Sequence, residues 1–185
     1  MSNFTAEEKQ ILLNIVDQSI QYGLQNRQPL PIDLDQYSQH LQEKGASFVT
    51  LEIGGKLRGC IGSLEAYRSL VIDIADNAFA AAFRDPRFFP LTEAEYPQLT
   101  KHISVLTKPV PLAFNSEEDL LNKIRPQIDG LILSERGARG TFLPSVWESL
   151  PASKDFLRHL KMKAGLPPDY WSDTIQIERY TAEVI

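Results

Sequence analysis

Apolar and polar positions along the chain change period several times, which predicts a mixture of helices and strands. Thr5 and Glu8 form a capping-box pattern, and apolar residues then recur at helical spacing as far as Gly23, a predicted helix stop. A shorter helix is predicted to end at Gly45, and a third to begin at Ser69. The third carries a wide apolar stripe: Leu70, Val71, Ile74, Ala75, Ala78, Phe79, Ala82 and Phe83. Its alanines indicate close packing, most simply against a sheet.

The second half of the chain alternates short strand patterns with short helix patterns. Helices are predicted to begin at Ser116 and Ser153, the second ending at Gly165. Strands are predicted at 103–107, 130–133, 140–143 and 174–180, with the middle two joined by a turn through 136–139. No regular strand–helix–strand rhythm appears. The expected fold class is therefore α+β, with a mixed or antiparallel sheet packed against helices.

A β-hairpin is predicted in the first half of the chain. Residues 48–53 alternate, with Val49, Leu51 and Ile53 on one face, and Gly54-Gly55 follows as a turn signal. A two-residue turn would set apolar residues against Arg58 on one face, so a three-residue loop, Gly54-Gly55-Lys56 with a bulge, is predicted. The pairs expected are Ile53 with Leu57, Leu51 with Gly59, Val49 with Ile61, Glu52 with Arg58 and Thr50 with Cys60.

Length and composition limit the class of protein. A chain of 185 residues can form one substantial core or two small lobes. The chain contains no apolar run near the roughly 20 residues of a membrane span, and its N-terminus shows no secretory pattern. A single cysteine is consistent with a reducing compartment, and the net charge of −5 argues against a dedicated duplex-DNA binder. We therefore expect a cytoplasmic protein without a membrane segment.

The second hairpin strand contains the strongest candidate for chemistry, Leu57-Arg58-Gly59-Cys60-Ile61-Gly62. Cys60 is predicted either as a catalytic thiol favoured by Arg58 or as a small buried apolar residue. Arg58 is predicted to bind an anionic ligand, or else to pair with Glu52 across the strands. Gly59 and Gly62 indicate close approach of a ligand, of another backbone, or a bend.

Two other segments add candidate residues. In the run Arg84-Asp85-Pro86-Arg87-Phe88-Phe89-Pro90, Arg87 is predicted to bind a ligand or to stay structural. Arg84 is expected to neutralise a helix end and Phe89 to anchor the loop in the core. His102 would supply a base for Cys60 only if its strand neighbours Cys60, and a surface or core-edge role is favoured. The sequence contains no nucleotide-binding motif and no paired metal-ligand spacing, so it leaves the cofactor unknown and predicts no metal site.

Four blocks together resemble the AMMECR family. They are LRGCIG, the run 84–92 (RDPRFFPLT), Ile103-Ser104-Val105-Leu106 and Phe142-Leu143-Pro144, in the family's order. The resemblance covers most of the chain and implies a single AMMECR-type domain over 1–185, with a larger and a smaller lobe. It also implies membership of the AmmeMemoRadiSam system as its protein A, beside a Memo-like protein and a radical SAM protein. The residue after Leu143-Pro144, commonly glutamine in the family, is Ser145 here.

Two functions follow as hypotheses, and the sequence leaves open whether the chain is an enzyme. In the first, Cys60 is catalytic, and Arg58, Gly59, Gly62, Arg87 and Glu52 bind a small anionic or nucleotide-like ligand. The protein would then be an enzyme or accessory component of a modification pathway. In the second, the same face docks a protein partner or RNA without catalysis.

Overall fold

A computed structural model describes residues 2–185 and divides the chain into two compact units. The first contains the residues up to Leu106 together with Glu183–Ile185, and the second contains Thr107–Ala182. Each has its own hydrophobic core. The elements are helices and two antiparallel sheets, so the predicted α+β class is confirmed. No helix within residues 2–185 combines the length and apolarity that a bilayer crossing needs.

The first unit packs two helices against one face of a five-stranded sheet. Its elements, numbered in chain order, are α1 (Ala6–Asn26), α2 (Gln39–Gln42), β1 (Lys44–Ile53), β2 (Lys56–Gly62), β3 (Arg68–Ser69), α3 (Leu70–Phe83), β4 (Leu99–Leu106) and the C-terminal β9 (Ala182–Val184). The strand order is β2-β1-β4-β9, and β3 pairs with the start of β1. Val49, Leu51 and Ile103 on the inner face contribute to one core with α1 and α3.

The first helix begins as predicted and ends later. Thr5 and Glu8 form both hydrogen bonds of the capping box. The predicted stop at Gly23 is wrong, because the helix continues to Asn26 and ends at Arg27, whose φ is 57°. A Cβ at Gly23 would lie 2.5 Å from the ring of Phe83, so this glycine lets α1 approach α3 closely.

The second predicted helix is much shorter than its apolar pattern suggests. The chain forms a 3-10 turn at Leu34–Gln36 and the four-residue α2. Gly45 does not end a helix but lies inside β1, where a Cβ would meet Leu70 at 2.8 Å. Close packing of β1 on the start of α3 therefore explains this glycine.

The hairpin register is correct away from the turn and wrong beside it. Val49 pairs with Ile61, Thr50 with Cys60 and Leu51 with Gly59, as predicted. The turn has two residues, Gly54 and Gly55, with φ of 58° and 74°. Consequently Ile53 pairs with Lys56 and Glu52 with Leu57, and the extra residue of the bulge is Arg58. The bulge directs the Arg58 side chain away from its predicted partner Glu52.

The second unit consists of four strands and two helices: β5 (Val110–Pro111), α4 (Glu117–Lys123), β6 (Gly130–Glu135), β7 (Ala138–Phe142), α5 (Ser153–Lys163) and β8 (Gln176–Tyr180). The strands form one sheet in the order β5-β8-β6-β7. The β6–β7 turn is shorter than predicted and consists of Arg136 and Gly137. Trp147 and Phe156 stack at a centroid distance of 3.8 Å in its core.

Candidate functional site

The Cys60 side chain projects from the sheet face opposite the core. Its Sγ lies 3.3 Å from Oγ1 of Thr50, its partner on β1, and the residue is half-buried. Neighbouring side chains alternate across a strand, so Gly59 faces α3 instead. A Cβ at Gly59 would lie 2.0 Å from the carbonyl oxygen of Ala81. Of the alternatives at this glycine, close approach of another backbone is the one the structure contains.

Gly62 is also explained by packing. A Cβ there would overlap the ring of Phe48 and the carbonyl oxygen of Ser47. The two motif glycines therefore fit β2 against its neighbours. A role for Gly59 and Gly62 in binding a ligand stays a prediction.

The segment after α3 covers the free edge of β2. The backbone N–H of Cys60 donates to Oδ2 of Asp85 at 2.9 Å, and Arg87 Nη2 donates to the Cys60 carbonyl at 3.4 Å. The two side chains also bind each other, with Arg87 Nη2 2.7 Å from Asp85 Oδ2. Asp85 is nearly fully buried, and the Arg87 guanidinium holds the pKa of its carboxyl well below the usual range. An edge strand that would otherwise present unpaired backbone groups is thus capped by side chains.

Arg58 binds Glu95 and not Glu52, so the alternative that predicted an Arg58–Glu52 pair is wrong. Its Nε donates to Oε1 of Glu95 at 2.8 Å and its Nη2 to Oε2 at 3.2 Å. Nη2 also donates to the carbonyl oxygen of Phe89 at 2.8 Å. The side chain is 12% exposed, and its Nη1 is buried without a hydrogen-bond partner among the residues that the structure describes.

Arg58 and Arg87 are brought together around one aromatic ring. Their Cζ atoms lie 5.7 Å and 5.5 Å from the centroid of Phe88. The two guanidinium groups therefore lie on either side of Phe88, and that of Arg87 also reaches the backbone carbonyl of Cys60. Each guanidinium already faces a carboxylate there, which reduces the charge available to an anionic ligand.

The pairing of Glu95 with Arg58 makes the stability of this surface depend on pH. Hydrogen bonds from Arg58 lower the pKa of Glu95 to about 2. A depressed carboxyl pKa stabilises the fold above the ordinary value and loses that contribution as pH falls through the folded value. We expect the wild-type chain to lose about 1–2 kcal/mol more unfolding free energy between pH 5 and pH 2 than Glu95→Gln. Urea unfolding at pH 5 and pH 2 measures the loss of unfolding free energy in each protein. Equal losses in the two proteins would contradict the lowered pKa of Glu95.

Phe89 is exposed, contrary to the expected core anchor. Its side chain is 89% exposed, whereas the next apolar residue, Leu91, is buried. Arg84 lies at the end of α3 as expected, with its guanidinium 4.9 Å from the centroid of Phe79. The backbone therefore does not follow regular strand alternation between these residues, since Leu91 faces the core while Phe89, two positions earlier, lies in solvent.

His102 and Glu52 lie on the same outer face but not against the thiol. β4 neighbours β1, so Thr50 lies between Cys60 and His102, which are two strand spacings, or roughly 10 Å, apart. His102 Nε2 is instead 3.7 Å from Oε2 of Glu52, and its side chain is 43% exposed. This position agrees with the favoured surface role and excludes direct proton transfer from the Cys60 thiol to His102 in this arrangement.

Asp85 and Glu95 are the site residues that sequence reasoning missed. Asp85 belongs to the run from Arg84 to Pro90, in which only Arg84, Arg87 and Phe89 were given roles. A signal for Glu95 was available, because Thr92 three residues before it forms a capping-box spacing. In the structure the N–H and hydroxyl of Thr92 both donate to Oε2 of Glu95 at 2.9 Å. No cluster of three or more His, Cys, Asp or Glu residues within 2–185 is arranged to hold a metal ion.

Comparisons with known proteins agree with the resemblance carried by the motif blocks. The AMMECR1 family model matches residues 13–185. A protein of Methanothermobacter thermautotrophicus is 36% identical over 96% of this chain and 93% of its own length. Protein MJ0810 of Methanocaldococcus jannaschii is 35% identical over 83% of this chain and 78% of its own. The crystal structure of an uncharacterized protein, PH0010 of Pyrococcus horikoshii, has a TM-score of 0.82 at 32% identity, covering 94% of this chain and 88% of that one. This chain belongs to the AMMECR1 family.

Proposed function

We propose that this chain is an accessory component of a modification pathway that docks a protein partner through the Phe89 loop, residues 85–92. The observation that carries the proposal is the 89% exposure of a phenylalanine on a loop whose backbone is tied down around it. Exposed aromatic residues in well-ordered surroundings are typical of the energetic centres of protein interfaces.

The backbone bonds of the loop keep Phe89 in place. Arg58 binds the Phe89 carbonyl, and the N–H of Leu91 donates to the carbonyl of Ala82 at 2.8 Å. The N–H of Phe88 donates to the carbonyl of Asp85 at 3.1 Å. A loop that is already ordered loses little conformational entropy on binding, so more of the contact energy remains as affinity.

The motif arginines support this loop more directly than they support an anion site. Arg87 binds Asp85 and the Cys60 carbonyl, and Arg58 binds Glu95 and the Phe89 carbonyl. A small anion would compete with both carboxylates for these donors. The LRGCIG and Asp-Pro-Arg-Phe blocks therefore act together as one scaffold that presents Phe89.

The partner that fits this surface is a protein with an apolar pocket for one aromatic ring. The family resemblance names two candidates, a Memo-like protein and a radical SAM protein. Docking would bring the partner beside the Cys60 surface without requiring this chain to turn over a substrate.

Replacing Phe89 with alanine tests the proposal. We expect Phe89→Ala to weaken retention of the Memo-like or radical SAM protein from the same organism at least tenfold, because a central interface aromatic contributes about 2 kcal/mol or more. Stability should change by less than about 0.5 kcal/mol, since the side chain is exposed. Pull-down with purified partners and denaturant unfolding provide the two measurements.

Tyr67 provides the matched control, because it is an exposed aromatic of the same unit at 61% exposure. Tyr67→Ala should retain the partner as wild type does. Equal retention by wild type and Phe89→Ala would refute docking through this loop. RNA binding that is lost in Phe89→Ala and falls steeply with salt would assign the loop to nucleic acid instead.

A second candidate function is thiol chemistry at Cys60. The half-buried Sγ beside Thr50, with Arg87 on the carbonyl of the same residue, favours it. If the thiol is a nucleophile, iodoacetamide at neutral pH should alkylate the folded wild type at a rate close to that of the unfolded chain. Mass spectrometry follows the added mass, with Cys60→Ser as the blank. Labelling slowed at least a hundredfold by folding would remove this candidate.

A further inference from the structure

A cleft of about 500 Å³ opens where α1 and α3 end. Its lining combines the rings of Phe79 and Phe83 with the side chains of Arg27, Arg84 and Leu91. That volume lies within the range of small-molecule sites, which are concave and mostly apolar with a few charged groups.

The apolar floor of the cleft is fixed by packing. The rings of Phe79 and Phe83 lie 5.0 Å apart between centroids, and α1 presents Gly23 toward them in place of a side chain. Leu91 is buried, and its N–H is held by the carbonyl of Ala82. The Phe79 ring is only 4% exposed and lies under the Arg84 guanidinium, so the aromatic surface open to a ligand is that of the half-buried Phe83.

Two guanidinium groups flank this floor without a carboxylate partner. Among residues 2–185, neither Arg27 nor Arg84 forms an ion pair, and none of the residues that line the cleft is acidic. Other arginines of the chain do face carboxylates, among them Arg58, Arg68, Arg87, Arg125, Arg136 and Arg158. Both arginines follow helix C-termini, where a cation is favourable, and the Arg84 guanidinium also lies over the Phe79 ring.

We propose that this cleft binds a small amphipathic carboxylate. Its apolar body, an aromatic ring system or an acyl chain, would pack on Phe83 and Leu24. Its carboxylate would lie between Arg27 and Arg84, whose planar donors suit two-point binding of such a group. The inference does not rest on the proposed docking function: the ligand's predicted contacts lie outside the Phe89 loop, of which only Pro90 and Leu91 line the cleft.

Titration of the full chain with 2-naphthoate and with decanoate tests the proposal and separates the two ligand sources. Isothermal titration calorimetry should detect one site for at least one of them. The neutral analogues 2-naphthamide and decanol should bind at least tenfold more weakly. The double variant Arg27→Gln/Arg84→Gln should lose at least tenfold in affinity, and Leu24→Trp, which fills the cleft wall, should abolish binding.

Arg136→Gln/Arg158→Gln is the charge-matched control, because it removes two exposed arginines from the second unit. It should bind as wild type does. The proposal is overturned by the absence of binding at millimolar ligand, by equal binding of the neutral analogues, or by equal losses in the two double variants. Unfolding measurements on Leu24→Trp determine whether this variant folds. If it does not, the Arg27→Gln/Arg84→Gln variant alone tests the site.

Discussion

Replacing Gly59 with alanine is expected to destabilise the first unit by at least about 3 kcal/mol or to prevent its cooperative folding. The added Cβ would lie 2.0 Å from the carbonyl oxygen of Ala81, which belongs to the backbone of α3. Backbone cannot rotate away as a flexible side chain can, so α3 and β2 would have to separate. Guanidinium unfolding followed by circular dichroism measures the loss.

Gly55 provides the control for this substitution. It has a φ of 74°, and a Cβ there would meet nothing within 4 Å. Gly55→Ala should therefore cost only the 1–2 kcal/mol or so of a left-handed residue that carries a side chain. If Gly59→Ala costs no more than Gly55→Ala, the close approach of α3 is not what selects glycine in the LRGCIG block.

Separation of α3 from β2 would also disturb the candidate docking surface. Asp85 follows the end of α3 and binds the Cys60 N–H on β2. The position of the Phe89 loop therefore depends on how closely the helix and strand pack. The packing of α3 on β2 thus links Gly59 to Phe89 through Asp85, without direct contact being needed between the two residues.

Local patterns predicted the elements whose residues are neighbours in sequence. The Thr5 capping box, the apolar stripe of α3 and the central part of the hairpin register are all confirmed. Each depends on interactions within a helix or between adjacent strands. The predicted three-residue turn was wrong. A bulge at Arg58 lets a two-residue turn keep the apolar residues on the inner face, and the alternation of residues alone does not reveal such a bulge.

Long-range partners explain what the sequence could not predict. Phe89 was assigned to the core because it is aromatic, but Leu91 occupies the buried position instead. Arg58 lies 37 residues from Glu95, and no periodicity connects them. The structure brings Arg58 and Arg87 to one aromatic ring, Phe88, and Arg87 to the Cys60 carbonyl. A shared binding surface for the thiol and both arginines stays a prediction. The carboxylates that face both arginines, Glu95 and Asp85, were not predicted, because the carboxylate proposed for Arg58 was that of Glu52.

The buried carboxylate of Asp73 is the second position where a single change should have a large effect. It is fully buried on α3, and its Oδ2 accepts from the N–H and hydroxyl of Ser47 and from Nδ2 of Asn77 at 2.7–2.9 Å. Its Oδ1 accepts from Ser63 Oγ at 2.8 Å and Arg68 Nε at 2.9 Å. One carboxylate thus joins α3 to β1, to β3 and to the chain that follows β2.

Asp73→Asn should therefore destabilise the first unit by about 3–5 kcal/mol, because the amide nitrogen would face donors and Arg68 would lose its buried partner. Asp76→Asn is the matched control, since Asp76 binds the same Arg68 from the same helix but has a side chain that is 36% exposed. That change should cost no more than about 1 kcal/mol. Urea unfolding of both variants compares the two losses directly. Equal small losses would show that the surrounding donors find water in place of the carboxylate, and that the network orders the chain without stabilising it.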